Sequence, residues 1–135
     1  MIVATRELIE GMHEDILDLA ERSGEGIIRG IRSEAIFEEI IEHINESDNL
    51  FEKAAWALYS ADVHPFWDGQ KRTAHQLADL ILRSEGYHIH ADEDEIIATL
   101  LRIARYECNQ NIPKIVKWLE KNVQKLDSTR QLHFG

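Results

Sequence analysis

The sequence predicts an all-α domain, and three observations predict it. Six segments carry apolar residues at the three- and four-residue spacing of a helix. Strand signals are few and short. The 135 residues include only two prolines and seven glycines, so little interrupts a helix. With 44% hydrophobic and 30% charged residues, the chain has the profile of one compact folded domain with a single core.

The first helix is expected from about Arg6 to Glu21, with Thr5 as N-cap and Leu8, Ile9, Met12, Ile16 and Ala20 on one face. A second begins after Ser33 and turns Ile36, Phe37, Ile40, Ile41 and Ile44 inward. The third, from about Leu50 to Ala61, buries Phe51, Ala54, Ala55 and Leu58. A fourth starts near Gln70 and ends near Ser84, aligning Ala74, Leu77, Ala78 and Ile81, with Gly86 as its stop. The fifth follows the acidic run Asp92 to Glu95, which suits the positive end of a helix dipole; Ile96, Ile97, Leu100, Leu101 and Ala104 form its stripe. A sixth runs from about Ile112 to Val123, with Pro113 tolerated in its first turn. Gly26 to Arg32 is glycine-punctuated and β-branched and is expected to form a short β-hairpin, and Tyr87 to His90 to be extended. The domain is thus expected over residues 1–125, with 126–135 as a C-terminal tail.

Composition excludes several functions. A formal net charge of -10 argues against direct nucleic-acid binding, because a phosphate backbone is gripped by Lys and Arg displacing counterions. A helix-turn-helix DNA binder is disfavoured for the same reason, since no basic recognition face is present. Cys108 is the single cysteine, which excludes an intrachain disulfide and a multi-cysteine metal site. No segment approaches the roughly 20 apolar residues of a membrane span and no signal peptide is visible, so a cytoplasmic protein without membrane contact is expected.

His64-Pro65-Phe66-Trp67-Asp68-Gly69-Gln70-Lys71-Arg72 holds residue types that packing does not require. Pro65 disfavours helical geometry at His64, so the third helix ends there. Asp68 then lies at or just before the start of the fourth helix, where Gly69 permits a tight bend. The amides of Gly69, Gln70, Lys71 and Arg72 fall at a helix N-terminus, which attracts an anion. Lys71 and Arg72 oppose the dipole in that turn, a placement that a bound polyanion explains better than helix stability does. His64 suits a general base, and Asp68 suits Mg²⁺ shared with phosphate oxygens. The parts match those of phosphoryl transfer. On residue chemistry alone, a plain connection with Phe66 and Trp67 as core anchors and Asp68 as a cap explains the segment about equally well.

This segment resembles the signature of the Fic/Doc family, His-x-Phe-x-(Asp/Glu/Asn)-(Gly/Ala)-Asn-(Gly/Lys)-Arg, and is most similar to the Doc (death-on-curing) branch, where Lys and then Arg-Thr-Ala follow the Asn. The likeness extends to Glu7-Leu8-Ile9 and His13 to Leu17 in the opening helix, to Gly30-Ile31-Arg32-Ser33-Glu34, and to Gly86-Tyr87. It implies a six-helix fold and an enzyme that uses ATP and Mg²⁺ to modify a Ser, Thr or Tyr hydroxyl of a target protein. His64 would be the base, Asp68 the metal ligand, Gly69 to Lys71 the anion nest, Arg72 the phosphate clamp, and Phe66 the anchor of the loop. Ile27, Ile28, Arg29, Gly30 and Ile31 would form a flap that docks the target by strand addition. Lys71, where the Fic branch has Gly, tilts the expectation toward γ-phosphate transfer, as by a toxin with a cognate antitoxin. AMP transfer is the alternative, and a catalytically weakened binding module is the third reading. A homodimer is left open. Gln70 departs from the family's Asn by one methylene, and His75 stands where a second Arg is frequent. The family's self-inhibitory pattern, Ser or Thr followed four residues later by Glu, is absent. His88 and His90 read as part of an exposed strand, and His13 and His43 as structural hydrogen-bonding residues.

Overall fold

A computed structural model describes residues 2–106 and 112–126. The expected helices form: α1 (Arg6–Arg22), α2 (Glu34–Glu46), α3 (Leu50–Val63), α4 (Gln70–Arg83), α5 (Glu93–Tyr106) and α6 (Ile112–Asn122). No helix among the described residues is long and apolar enough to cross a membrane.

Local chemistry sets most of the boundaries. Thr5 Oγ1 accepts from the Leu8 N–H, Ser33 Oγ from that of Ile36, Asn49 Oδ1 from those of Phe51 and Glu52, and Asp92 Oδ1 from that of Glu95. Each satisfies donors that the helix cannot. Among the helices whose N-cap is described, α4 alone begins differently. Its N-cap is Gly69, and no side chain caps it.

Helix α3 is the axis of the fold. Every residue from Lys53 to Leu58 is buried, and α2, α4, α5 and α6 all pack on it. Ala54, Ala55, Ala57 and Ala61 let those neighbours come close, while Phe37, Leu58, Ile81, Leu82, Ile115 and Leu119 fill the space between. The buried Lys53 ammonium donates to the Ile44 carbonyl at 2.8 Å, capping α2 from the side. Helix α1 covers α4 and sends His13 and Leu17 inward, whereas Leu8 and Met12, expected on that face, are only half-buried.

One short strand lies within the stretch expected to be extended, Tyr87 to His90, while its partner strand was not expected. β1 (Tyr87–Ile89) pairs antiparallel with β2 (Val123–Lys125), Tyr87 opposite Lys125 and Ile89 opposite Val123. The Leu126 N–H continues this pairing onto the Gly86 carbonyl at 2.7 Å, so Leu126 is tied to the domain. The rest of the expected tail, 127–135, lies outside the described residues, as does Cys108. Residues 25–29 do not fold back as a hairpin. The segment has no regular structure of its own and forms one antiparallel bridge, Ile31 with Phe66, because its partner is the loop between α3 and α4.

Candidate active site at the start of the fourth helix

Two turns of unusual backbone place the site. His64, the C-cap of α3, is left-handed at φ 51 and ψ 68, consistent with Pro65 excluding the right-handed helical region before it. Gly69 is also left-handed at φ 80. A Cβ there would lie 3.3 Å from His13 and Leu17, so glycine fits on both conformation and space. Between the two, Phe66 is buried while Trp67 is 52% exposed, so of the pair read as core anchors only Phe66 serves as one.

His13 clasps this loop. It is buried, its ring stacks on Phe66 with centroids 3.8 Å apart, and its Nε2 lies 2.6 Å from the Asp68 carbonyl. Only a protonated Nε2 can bond that carbonyl, which fixes the tautomer. The flap grips the loop from the other side. The Arg32 and Ser33 N–H groups donate to the Pro65 carbonyl, and the Trp67 N–H donates to that of Gly30. Arg32 Nε and Nη2 donate to the carbonyls of His64 and Val63 at 2.6 and 2.8 Å, closing the end of α3. Arg29 turns away onto α1, paired with Glu14, Asp18 and Glu21. Its side chain anchors the flap. Finally, the Ile28 N–H donates to Asp68 Oδ2 at 2.6 Å.

The loop, flap and α4 surround a cavity of about 490 Å³, within the range of small-molecule sites. His64, Asp68, Gly69, Gln70, Lys71 and Arg72 all line it, so the structure brings every expected residue of the motif together. Of the flap, Ile27 also lines it, while Ile28 stands 62% exposed. Thr73 makes the first backbone bond of α4, to Gly69, leaving the N–H groups of Gln70, Lys71 and Arg72 with no partner among the described residues. Three unpaired amides and two cations thus face one cavity, a ready anion site.

His64 is chemically poised. Partial burial, followed by the positive charges of Arg32 and Lys71, holds its imidazole below the ordinary histidine value. At neutral pH it is therefore an unprotonated base. Asp68 keeps Oδ1 free of protein donors among the described residues, and no three His, Cys, Asp or Glu side chains there converge as a metal cage. Gln70 turns its side chain inward: it is buried and its Nε2 has no partner among the described residues, beside an equally unpartnered Thr73 Oγ1. Both residues border a small cavity of about 10 Å³ under the loop, roughly the volume of one water. The Gln70 amide nitrogen thus sits in the interior, and the residue's available donor for an anion is its backbone N–H.

Several residues of the site were not foreseen. Glu25 and Glu93 approach Arg72 at 3.9 and 3.6 Å, and with a half-exposed guanidinium both pairs are weak enough for a phosphate to displace. Asp94 joins them on the rim, and Ile16, Leu17, Ala20 and Ile97 supply an apolar wall. No local pattern announces these, because they converge from α1, the segment that follows it, and α5. His13, expected as a structural hydrogen-bonding residue, is one: it falls on the α1 face between Ile9 and Ile16 and bonds the Asp68 carbonyl. His75 lines a separate groove with Asp79, His88 and His90, as an ordinary polar residue of the α4 surface.

A sequence profile of the Fic/DOC family matches residues 4–82. A Fido domain-containing protein of Dictyostelium discoideum is 43% identical over 58 residues, which cover 39% of this chain and 41% of that relative. The matched profile takes in α1 through α4 up to Leu82, and with them the flap and the loop that carries the motif; the α5 side of the cavity lies outside the matched residues. The chain belongs to the Fic/DOC family.

Proposed function

We propose that this chain transfers the γ-phosphoryl group of ATP to a Ser or Thr hydroxyl of a target protein, as a Doc-like toxin restrained by a cognate antitoxin. One observation carries the reading: an unprotonated His64 faces the same cavity as the uncapped, cation-flanked start of α4. The amides of Gln70, Lys71 and Arg72 would bind the phosphate chain, and Arg72 would leave Glu25 and Glu93 to fork its oxygens. His64 would take the proton of the target hydroxyl as that oxygen attacks the γ-phosphorus. The bond from γ-phosphorus to the bridging oxygen then breaks, ADP leaves, and the proton passes from His64 to water. Lys71 supports γ-transfer over AMP transfer, since a long cation stands where the Fic branch leaves room for the α-phosphate.

Mg²⁺ fits the donor set. Asp68 offers one free carboxylate oxygen beside the anion site, and Mg²⁺ is held by one or two carboxylates plus waters and substrate phosphates rather than by a protein cage. Bound there, it would neutralise charge building on the transferring phosphates.

Gln70 favours a second reading, a weakened Fic/DOC fold that binds a regulator, because its amide nitrogen is turned into the core. Lysate incubated with ATP labelled at the α- or γ-phosphate separates the readings. Label from γ alone is expected, falling at least about a hundredfold in His64→Ala. Label from α would mean AMP transfer instead, and no His64-dependent label would sink both enzyme readings.

A further inference from the structure

One hydrogen bond joins the flap to the residue read as cation ligand. The Ile28 N–H donates to Asp68 Oδ2 at 2.6 Å, and no other described group donates to that carboxylate. The Ile28 side chain is 62% exposed, so packing of that side chain does not place the amide. Its neighbours do: Arg29 is held on α1, the Gly30 carbonyl by the Trp67 N–H, and Arg32 on the end of α3. The donor is therefore fixed by anchors independent of Asp68. A carboxylate at the end of a short side chain otherwise turns broadly about its last torsion. A short, charge-assisted bond to one oxygen settles that torsion and leaves Oδ1 for another ligand.

We propose that the Ile28 backbone N–H is a positioning group for Asp68, presenting Oδ1 to a divalent cation and so coupling the order of the flap to cation affinity. The proposal rests on Asp68 being the cation ligand. Hydrogen-bond partners of ligating carboxylates commonly set metal affinity, and their loss weakens it about 10–100-fold. The coupling is reciprocal: whatever orders the flap tightens the cation, and the cation tightens the flap.

Mn²⁺ alone, titrated into the full chain and followed through the spin resonance of the free ion, tests this. Ile28→Ala keeps the N–H and should bind as the wild type does. Ile28→Pro removes it and should bind at least about tenfold more weakly. Asp68→Asn should lose saturable binding. Amide exchange checks the flap itself: the Trp67 N–H on Gly30 should stay protected in all variants, while Asp68→Ala, which leaves no side-chain acceptor, should release the Ile28 N–H. Wild-type affinity in Ile28→Pro with Trp67 still protected overturns the proposal and leaves Asp68 as ligand. Should Ile28→Pro lose the Trp67 protection, the Ile28 amide in Asp68→Ala decides, and unchanged protection there overturns it. Wild-type affinity in Asp68→Asn, or no saturable binding in the wild type, overturns the cation reading and the proposal with it.

Discussion

At the scale of single residues, the site depends on charges placed where they oppose something. Lys71 opposes the dipole of α4 and also holds the proton off His64, after burial and beside Arg32. Lys71→Ala should therefore raise the His64 pKa toward the ordinary histidine value, by an imidazole NMR titration of the nucleotide-free protein. The direction follows from the sign: a neighbouring cation disfavours the protonated ring, so removing it favours protonation. The acid limb of the activity profile should move to higher pH with it. The sequence made Lys71 conspicuous through its wrong-signed position in a first turn. It could not reveal Arg32 as the other cation, since that contact spans the flap and the end of α3. Nor did it show which way Gln70 turns, because the amide's direction depends on the space left by Phe66, Ile40 and Leu77.

Among the elements, the helices were legible and the pairings between distant segments were not. Periodicity and caps act within a few residues, so Thr5, Ser33, Asn49 and Asp92 mark their helices locally. The flap's partner and the partner of β1 are chosen by tertiary packing. A short glycine-rich segment fits a hairpin or a bridge to another loop equally well. Asp79 is what fastens β1 to α4. Burial pulls its carboxyl upward, but hydrogen bonds from Arg83 and the Ile89 N–H, with the charges of Arg83 and His88, prevail and hold it below the ordinary range. Its ionised form is thus favoured by folding. Stability from it is present above the unfolded pKa and is lost as pH falls through the lower folded value. Asp79→Asn should cost about 1 kcal/mol at pH 7, a figure already discounted for the half-exposed Arg83, and the gap should narrow in urea titrations as pH falls through the lowered folded value.

Across the whole molecule, a chain of net charge -10 gathers an anion site by concentrating its few useful cations against one helix end. Glu25, Glu93 and Asp94 stand around them, so the free cavity is not a basic patch. Recognition of phosphate here is local, made of amides and two side chains, and the global field neither helps nor announces it.

The left-handed backbone of His64 has an evolutionary consequence. A side chain in that conformation carries about 1–2 kcal/mol of strain that glycine would not. His64→Gly should therefore raise the unfolding free energy above that of the wild type, whereas His64→Ala should not, as urea denaturation would measure. Mutation alone would drift this position toward glycine, because the fold is firmer without a Cβ there. If the imidazole is the catalytic base, its persistence is a cost set by activity, and the residue at position 64 becomes a gauge of use. A glycine there in a related chain would mark a fold released from catalysis, more stable than its working relatives.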